Sequence, residues 1–130
     1  MAQFESTVSR HVLLVDDEES VCDVITDVIA AFAPGAINLT CVHSDTAAYR
    51  AFAEEPSFDP ILVDINLGRG TTGYDVARRA RSLRPDVKVI YISGQIDQKS
   101  VATFGVPGST FLEKPFTSEQ LLAALGLKPD

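Results

Sequence analysis

The sequence has little of several residue types, and each shortage narrows the possible functions. In 130 residues there is no tryptophan, one methionine and two cysteines. Basic residues are outnumbered, since 11 Lys and Arg stand against 18 Asp and Glu, for a formal net charge of -7 at pH 7. A chain this acidic argues against binding of nucleic acid or anionic membranes, which requires clustered positive charge. Without a long apolar run or a cationic-apolar signal segment, the sequence predicts a cytoplasmic protein without a membrane span.

The two cysteines and the one basic cluster have plain interpretations. Cys22 and Cys41 lie in apolar patterns and show neither metal-ligand spacing nor a disulfide framework. We therefore expect reduced, buried thiols. The basic cluster lies along a predicted helix and is typical of a solvated helix face. Its members are Arg78, Arg79, Arg81 and Arg84.

Apolar residues, in contrast, are abundant. They form 45% of the chain, enough for one domain with its own core. Runs of strand length alternate with segments of helical period, which predicts an α/β domain of (βα)5 type over residues 11–126, between polar tails at 1–10 and 127–130. The predicted strands are 11–16, 37–42, 61–65, 87–92 and 110–112. Strands this apolar favour a doubly wound parallel sheet with the flavodoxin-like order 2-1-3-4-5.

The helical segments show apolar stripes and capping signals. Ser44 is a predicted N-cap, Thr117-x-x-Gln120 is a capping box, and the helix predicted over 97–104 is short. The side chains expected to face the core in the four patterned helices are Val21, Val24, Ile25, Val28, Ile29 and Phe32; Ala47, Ala48, Ala51 and Phe52; Val76, Ala77, Ala80 and Leu83; and Leu121, Leu122 and Leu125.

Reactive side chains stand where the predicted strands end. Parallel strands place their carboxyl ends on one edge, and ligands bind where the strand order reverses. The first and third strands flank that point, so Asp16, Asp17 and Asp64 should lie close together, either with a raised pKa or around a cation such as Mg²⁺. These groups fit phosphoryl chemistry, with Asp64 as nucleophile. Lys114 would supply a positive charge and Ser93 a hydroxyl for the phosphoryl oxygens.

The glycines after Asp64 raise the alternative of a nucleotide site. Gly68-x-Gly70-x-x-Gly73 has the spacing of a dinucleotide-binding fingerprint. That motif requires a strand leading directly into the first glycine and an acidic residue at the end of the next strand. Here Asp64 and Asn66 intervene, and the next strand ends in a serine. We therefore interpret the glycines as loop geometry beside Asp64.

Several motifs, taken together in this order, resemble the receiver domain of two-component response regulators. They are the Asp16-Asp17 pair, Asp64 in ILVDINL, Ser93-Gly94 after VIYI, and Lys114-Pro115-Phe116 in FLEKPF. The resemblance covers about residues 11 to 126. It implies that Asp64 accepts a phosphoryl group from a phosphohistidine on a sensor histidine kinase or a histidine phosphotransfer protein, within a bacterial phosphorelay.

The resemblance also implies the roles of other residues. Mg²⁺ would be bound by Asp17, Asp64 and the backbone carbonyl of Asn66, and by Asp16 mainly through water. Ser93 and Phe111 would form a switch that changes the surface of the last helix-strand-helix, through which a homodimer could form. A cis Lys114-Pro115 bond would match the family. The segment 67–73 departs from the family pattern, which predicts a more mobile loop. The output would be a partner in trans or a domain outside this sequence.

Each assignment has an alternative. Asp16 and Asp17 could cap the first helix, Asp64 and Ser93-Gly94 could be turn formers, and Phe111 could be core. Two other functions also remain. A small-molecule phosphatase that forms an aspartyl phosphate would need a second acid at position 66, where Asn stands, and a cap insertion. A pseudo-receiver that only binds partners would not need the complete set of reactive residues.

Overall fold

The fold is an alternation of five strands and five helices. The computed structural model describes residues 10–55, 57–67, 72–95 and 98–127. The strands are β1 (Arg10–Val15), β2 (Ile37–Val42), β3 (Ile61–Asp64), β4 (Val89–Ser93) and β5 (Thr110–Glu113). The helices are α1 (Glu19–Phe32), α2 (Asp45–Glu54), α3 (Gly73–Leu83), α4 (Gln98–Phe104) and α5 (Ser118–Ala124). No helix in the described ranges has the length and apolar character needed to cross a membrane.

The strands form one parallel sheet in the order β2-β1-β3-β4-β5. This confirms the predicted flavodoxin-like arrangement. β1 and β3 are neighbours at the centre, with Val15 paired to Val63, so their carboxyl ends lie side by side. Further along, Asp64 pairs with Ile92, and Ser93 pairs with Glu113. The register therefore brings the ends of four strands to one edge of the sheet.

Alternate residues of the central strands pack into two separate layers, because successive side chains of a strand point to opposite faces. Leu13, Val63 and Tyr91 pack with α2 and α3 on one face. Leu14, Leu62 and Ile90 pack with α1 and α5 on the other. The core is thus sheet-centred, with helices on both faces, and it fixes the strand ends rigidly.

Three apolar helix residues expected in the core are on the surface. Val24 is 48% exposed, and the terminal residues of α1 and α3, Phe32 and Leu83, are 53% and 47% exposed. Val24 lies at the margin of the stripe whose centre, Ile25 and Ile29, is buried. The prediction was wrong at these positions because periodicity gives the angular direction of a side chain but not how far along a helix the neighbouring layer extends.

The predicted caps are present, and one more appears. The Ser44 hydroxyl accepts a hydrogen bond from the Ala47 N–H at 3.1 Å. Thr117 and Gln120 form the predicted capping box at the start of α5. A second box, between Thr72 and Asp75, starts α3 one residue earlier than predicted. This box fixes the chain where it enters α3, after the loop that follows Asp64.

The prediction of reduced, buried cysteines was wrong. Cys22 on α1 and Cys41 on β2 form a disulfide, with Cα atoms 6.2 Å apart. Both residues are half-buried. A separation of 19 residues carries no pairing signal in a two-cysteine sequence. It is the packing of α1 beside the edge strand β2 that brings the two sulfur atoms together.

Candidate functional site

Three carboxylates meet at the carboxyl edge of the sheet. Asp16 and Asp17 directly follow β1, and Asp64 is the last residue of β3. One oxygen from each of the three lies within 4.8 Å of the others. Asp16 and Asp64 are buried, whereas Asp17 is exposed. The structure thus brings together the acids that the sequence placed at neighbouring strand ends.

Backbone groups hold one oxygen of each buried carboxylate. Asp16 Oδ1 accepts a hydrogen bond from the Glu18 N–H at 2.9 Å, and Asp64 Oδ1 accepts one from the Asn66 N–H at 2.9 Å. The Asp16 backbone is held by β2 and the residue that follows it. Its N–H donates to the Val42 carbonyl at 3.1 Å, and its carbonyl lies 2.9 Å from His43 Nδ1. The Oδ2 atoms are left for interactions with a cation.

Lys114 occupies the centre of the acidic cluster. Its ammonium nitrogen lies 3.0 Å from Asp16 Oδ2, 3.1 Å from Glu18 Oε1 and 3.4 Å from Asp64 Oδ2. Burial alone would lower the pKa of Lys114. The ion pairs with Asp16 and Glu18 and the charge of Asp64 outweigh burial, so the pKa is raised above its usual value. Lys114 therefore remains a cation over the whole physiological pH range.

The electrostatics of Asp64 differ from those of an ordinary aspartate. Burial raises its pKa, the hydrogen bond from the Asn66 N–H lowers it, the charge of Asp16 raises it and Lys114 lowers it. The outcome is a pKa raised from 3.8 to about 6. Asp64 therefore combines ionisation at neutral pH with a basicity well above that of a surface carboxylate.

The same cluster fits a divalent cation. Among the described residues, the buried Oδ2 of Asp16 has no partner in hydrogen-bond geometry, and it faces the Lys114 ammonium as an ion pair. An ammonium among three carboxylates shows that this edge favours positive charge. Oxygen donors of this kind, one of them exposed to water, suit Mg²⁺, which retains several waters. Asp16, Asp17 and Asp64 are the residues that could hold it.

Ser93 ends β4 beside the acids. It is buried, and its hydroxyl donates to the Gln95 carbonyl at 3.0 Å and accepts from the Gln95 N–H at 3.2 Å. The Asn66 side-chain amide lies 3.5 Å from the same hydroxyl. The Ser93 carbonyl in turn accepts from the Lys114 N–H at 2.8 Å. Ser93 is thus next to both the Asp64 turn and the Lys114 segment.

Phe111 lies on β5, three residues before Lys114, and its side chain is 41% exposed. The alternative that Phe111 is simply a core residue was therefore wrong. Phe111 is exposed because β5 is an edge strand, with no further strand beside it in the sheet. The Lys114-Pro115 peptide bond is cis, as the resemblance implied, and so is Asp59-Pro60.

Of the three motif glycines, Gly73 has a clear structural role. A Cβ at this position would lie 2.2 Å from the Asp64 carbonyl oxygen and 2.9 Å from Ile65 Cα, so only glycine fits there. Its N–H donates to the Ile65 carbonyl at 2.8 Å. Gly68 and Gly70, and with them most of the loop expected to be mobile, lie outside the described residues.

Comparison with known proteins identifies the family. The sequence model of the response regulator receiver domain matches residues 12–126. The chain belongs to this family. A receiver protein from Sinorhizobium medicae has a solved structure that is 33% identical, with a TM-score of 0.76 and coverage of 91% of this chain and 92% of that one.

Two further relatives place the receiver domain in a wider context. The regulatory protein VirG of Agrobacterium tumefaciens is 29% identical over 127 residues, which is 93% of this chain but 45% of VirG. The chain therefore spans less than half the length of that relative. The receiver domain of a sensor histidine kinase from Pseudomonas aeruginosa, solved with a magnesium ion coordinated in its active site cleft, is 26% identical, with a TM-score of 0.73 over 91% of this chain and 95% of that one.

Two residues that border the site of this receiver domain were not assigned a role from the sequence. Glu18 stands in the acidic run after β1, but nothing in the sequence indicates its contact with Lys114, which is 96 residues away. His43 is an exposed residue directly after β2, and its Nδ1 lies 2.9 Å from the Asp16 carbonyl oxygen. Both contacts depend on which strands are neighbours, so no local sequence signal could have found them.

Proposed function

We propose that Asp64 is the phosphoacceptor of this receiver domain and takes its phosphoryl group from a phosphohistidine of a histidine kinase or a histidine phosphotransfer protein. One observation carries the proposal. The Asp64 carboxylate is buried, has a pKa near 6 and lies 3.4 Å from a lysine ammonium that also contacts Asp16 and Glu18. A nucleophilic carboxylate beside a fixed positive charge is the arrangement that phosphoryl transfer to an aspartate requires.

The transfer step uses the free side of the carboxylate. An Asp64 oxygen attacks phosphorus, the bond between phosphorus and the imidazole nitrogen breaks, and its electron pair remains on the imidazole. The product is an aspartyl phosphate. Asp64 Oδ1 is already held by the Asn66 N–H at 2.9 Å, so Oδ2, which faces Lys114, is the better nucleophile. Lys114 and Ser93 would then bind the phosphoryl oxygens.

Asp16, Asp17, Asp64 and the backbone carbonyl of Asn66 would hold Mg²⁺. When bound, the ion neutralises charge on the phosphoryl oxygens. The close approach of the three carboxylates and the magnesium ion in the Pseudomonas relative support this assignment. Asp17, the exposed member, leaves room for the waters that Mg²⁺ keeps.

The output would be a change in protein binding at the surface formed by α4, β5 and α5. Ser93 would turn its hydroxyl from Gln95 to the phosphoryl group, and Phe111 would respond as the aromatic part of the switch. The exposed ring of Phe111 on an edge strand supports a role at a surface. The partner would be a protein in trans, a second copy of the domain or an output domain in a longer chain.

The test is phosphorylation with acetyl phosphate and Mg²⁺, followed by intact mass. We expect one labile phosphoryl adduct on the wild type and on Asp86→Asn, an exposed control at the opposite edge of the sheet. Asp64→Asn should remain unmodified. If the wild type binds Mg²⁺ but gains no adduct, the protein acts as a pseudo-receiver and the proposal is wrong. Adduct on Asp64→Asn would place the phosphoacceptor elsewhere.

A further inference from the structure

The disulfide joins the two segments that border the acidic site. Cys22 is the fourth residue of α1, the helix that begins two residues after Asp17. Cys41 is the penultimate residue of β2 and pairs with Leu14 of β1 in the sheet. Both cysteines are half-buried, so they are partly accessible to small thiols and disulfides. The bond therefore connects the start of the helix after the acid pair to the strand beside it.

The same strand already holds the acid pair on its other side. The residues that follow Cys41 contact the Asp16 backbone, through the Val42 carbonyl at 3.1 Å and His43 Nδ1 at 2.9 Å. The connection from Asp16 to Glu19 is short, and its Glu18 N–H binds Asp16 Oδ1. One end of this connection is therefore fixed by β2, while the other end is fixed by α1. The disulfide adds a covalent link between that helix and β2, beside their apolar contact.

On the side of the cysteines away from the acids, Ile29 of α1 packs in one apolar cluster with Ile37 and Leu39 of β2, and a surface groove runs along this contact. The groove has a volume of about 320 Å³. It is lined by Thr26, Ile29 and Ala30 of α1 and by Ile37, Asn38 and Leu39 of β2. Because the groove leaves part of this contact open to solvent, the covalent bond should add to how firmly the helix is held.

We propose that Cys22 and Cys41 form a reversible thiol–disulfide site, and that its oxidation fixes α1 to β2 and tightens Mg²⁺ binding by Asp16 and Asp17. The oxidant is a small-molecule disulfide. One protein thiolate attacks it and releases one small thiol, and the second protein thiolate then displaces the other. One disulfide is reduced to two thiols as the protein pair is oxidised, and the two protons pass to the released thiols. The claim that oxidation tightens Mg²⁺ binding rests on the proposed function.

The first experiment measures exchange in metal-free, unphosphorylated protein. The folded protein is equilibrated in buffers with varied ratios of reduced to oxidised glutathione. An alkylating reagent then stops the exchange, and the intact mass of the protein is measured. We expect a reversible conversion between a form with no alkyl groups and a form with two. Cys22→Ser and Cys41→Ser should each take up one alkyl group under reducing conditions. A pair that stays reduced in every buffer, or a bond that opens only after denaturation, would overturn the proposal.

The second experiment measures the consequence for the site. Reduction should lower the melting temperature by about 10 °C, as expected for a closed loop of this size. It should also weaken Mg²⁺ binding, measured by calorimetry, by roughly fivefold. The double variant Cys22→Ser, Cys41→Ser should bind Mg²⁺ with the affinity of the reduced protein, and this affinity should not change with the glutathione ratio. Equal Mg²⁺ affinity in both redox forms would overturn the coupling. Absence of phosphorylation would leave both measurements unaffected, so the two proposals fail separately.

Discussion

The two edges of the sheet carry the same kinds of charge in opposite environments. At the carboxyl edge, Lys114 contacts the carboxylates of Asp16 and Asp64, whose side chains are 1% and 6% exposed. At the amino edge, Arg84 contacts Asp59 and Asp86, at 34% and 80% exposure. Water screens the ion pairs of Arg84 and is largely excluded from those of Lys114. Burial, more than the identity of the residues, distinguishes the carboxyl edge from the amino edge.

This difference determines what each set of charges can do. Exposed ion pairs contribute little to stability, because their attraction barely exceeds the loss of hydration and side-chain freedom. Buried charges interact strongly and shift pKa values, as at Asp64. The carboxyl edge therefore holds a destabilising arrangement of buried charges, and the amino edge tolerates change.

The largest expected effect is on the pH dependence of stability at Asp64. Its pKa is raised from 3.8 to about 6 in the folded protein, so its contribution to stability is fully present below pH 3.8 and is lost as the pH rises through 6. The loss is about 3 kcal/mol. Asp64→Asn lacks this titration, so its free energy of unfolding should rise relative to that of the wild type by about 2.5 kcal/mol between pH 4 and pH 8, measured by urea unfolding without metal. If Asp86→Asn gained the same free energy of unfolding over this pH range, the effect would not come from the buried Asp64 carboxyl group.

Replacing the central cation should have the next largest effect. Lys114→Met removes the ammonium that would balance the phosphoryl oxygens, so we expect phosphorylation by acetyl phosphate to slow about 100-fold, as for loss of one donor from an oxyanion site. Arg84→Met removes a cation from the amino edge and should leave the rate within about twofold, because this edge is opposite the acids. The rates come from intact mass against time. Similar rates in the two variants would remove the distinction between the edges.

A third test concerns how tightly the carboxyl edge is packed. Gly73→Ala places a methyl group against the Asp64 carbonyl and the Ile65 backbone, neither of which can rotate away. We expect a loss of about 2 kcal/mol in the free energy of unfolding. Gly94→Ala is the matched control, because a Cβ there meets nothing within 4 Å. Equal free energies of unfolding for the two variants would show that the backbone after Asp64 shifts easily to accommodate the methyl group.

The smallest effect is expected at the amino edge. Arg84→Met should change the free energy of unfolding by about 1 kcal/mol or less, because Asp86 is exposed and Asp59 is only half-buried. Denaturant unfolding in low and high salt would measure this, and the difference from the wild type should shrink as salt screens the pairs. A loss that is large and independent of salt would mean that the two edges resemble each other more than their burial indicates.

The regular elements were readily predicted because their signals are local. Apolar runs predicted the strands, and the bounds of the half-buried β2 were correct to the residue. The Ser44 cap and the Thr117 box marked two helix starts. Exposed Phe32 and Leu83 were assigned wrongly to the core, since the extent of the neighbouring layer is a property of the whole fold. The short α4 and edge strand β5 had weaker patterns, and only their approximate positions followed from the sequence.

The members of the site could be predicted, but not all of its contacts. Asp16, Asp17, Asp64, Ser93 and Lys114 stand at strand ends, and the rule for parallel sheets was enough to group them. The ion pair between Glu18 and Lys114 was not anticipated. Long-range pairs of this kind depend on side-chain reach across the finished sheet.

The sequence by itself determined the order of strands and helices, the family and the set of residues at the candidate site, because apolar periodicity and residue type are written along the chain. Only the tertiary structure decided the raised pKa of Asp64, the position of Lys114 among three carboxylates and the Cys22–Cys41 bond. Those properties arise from burial and from distances between residues far apart in sequence. Both become defined only when the sheet and its helices have packed.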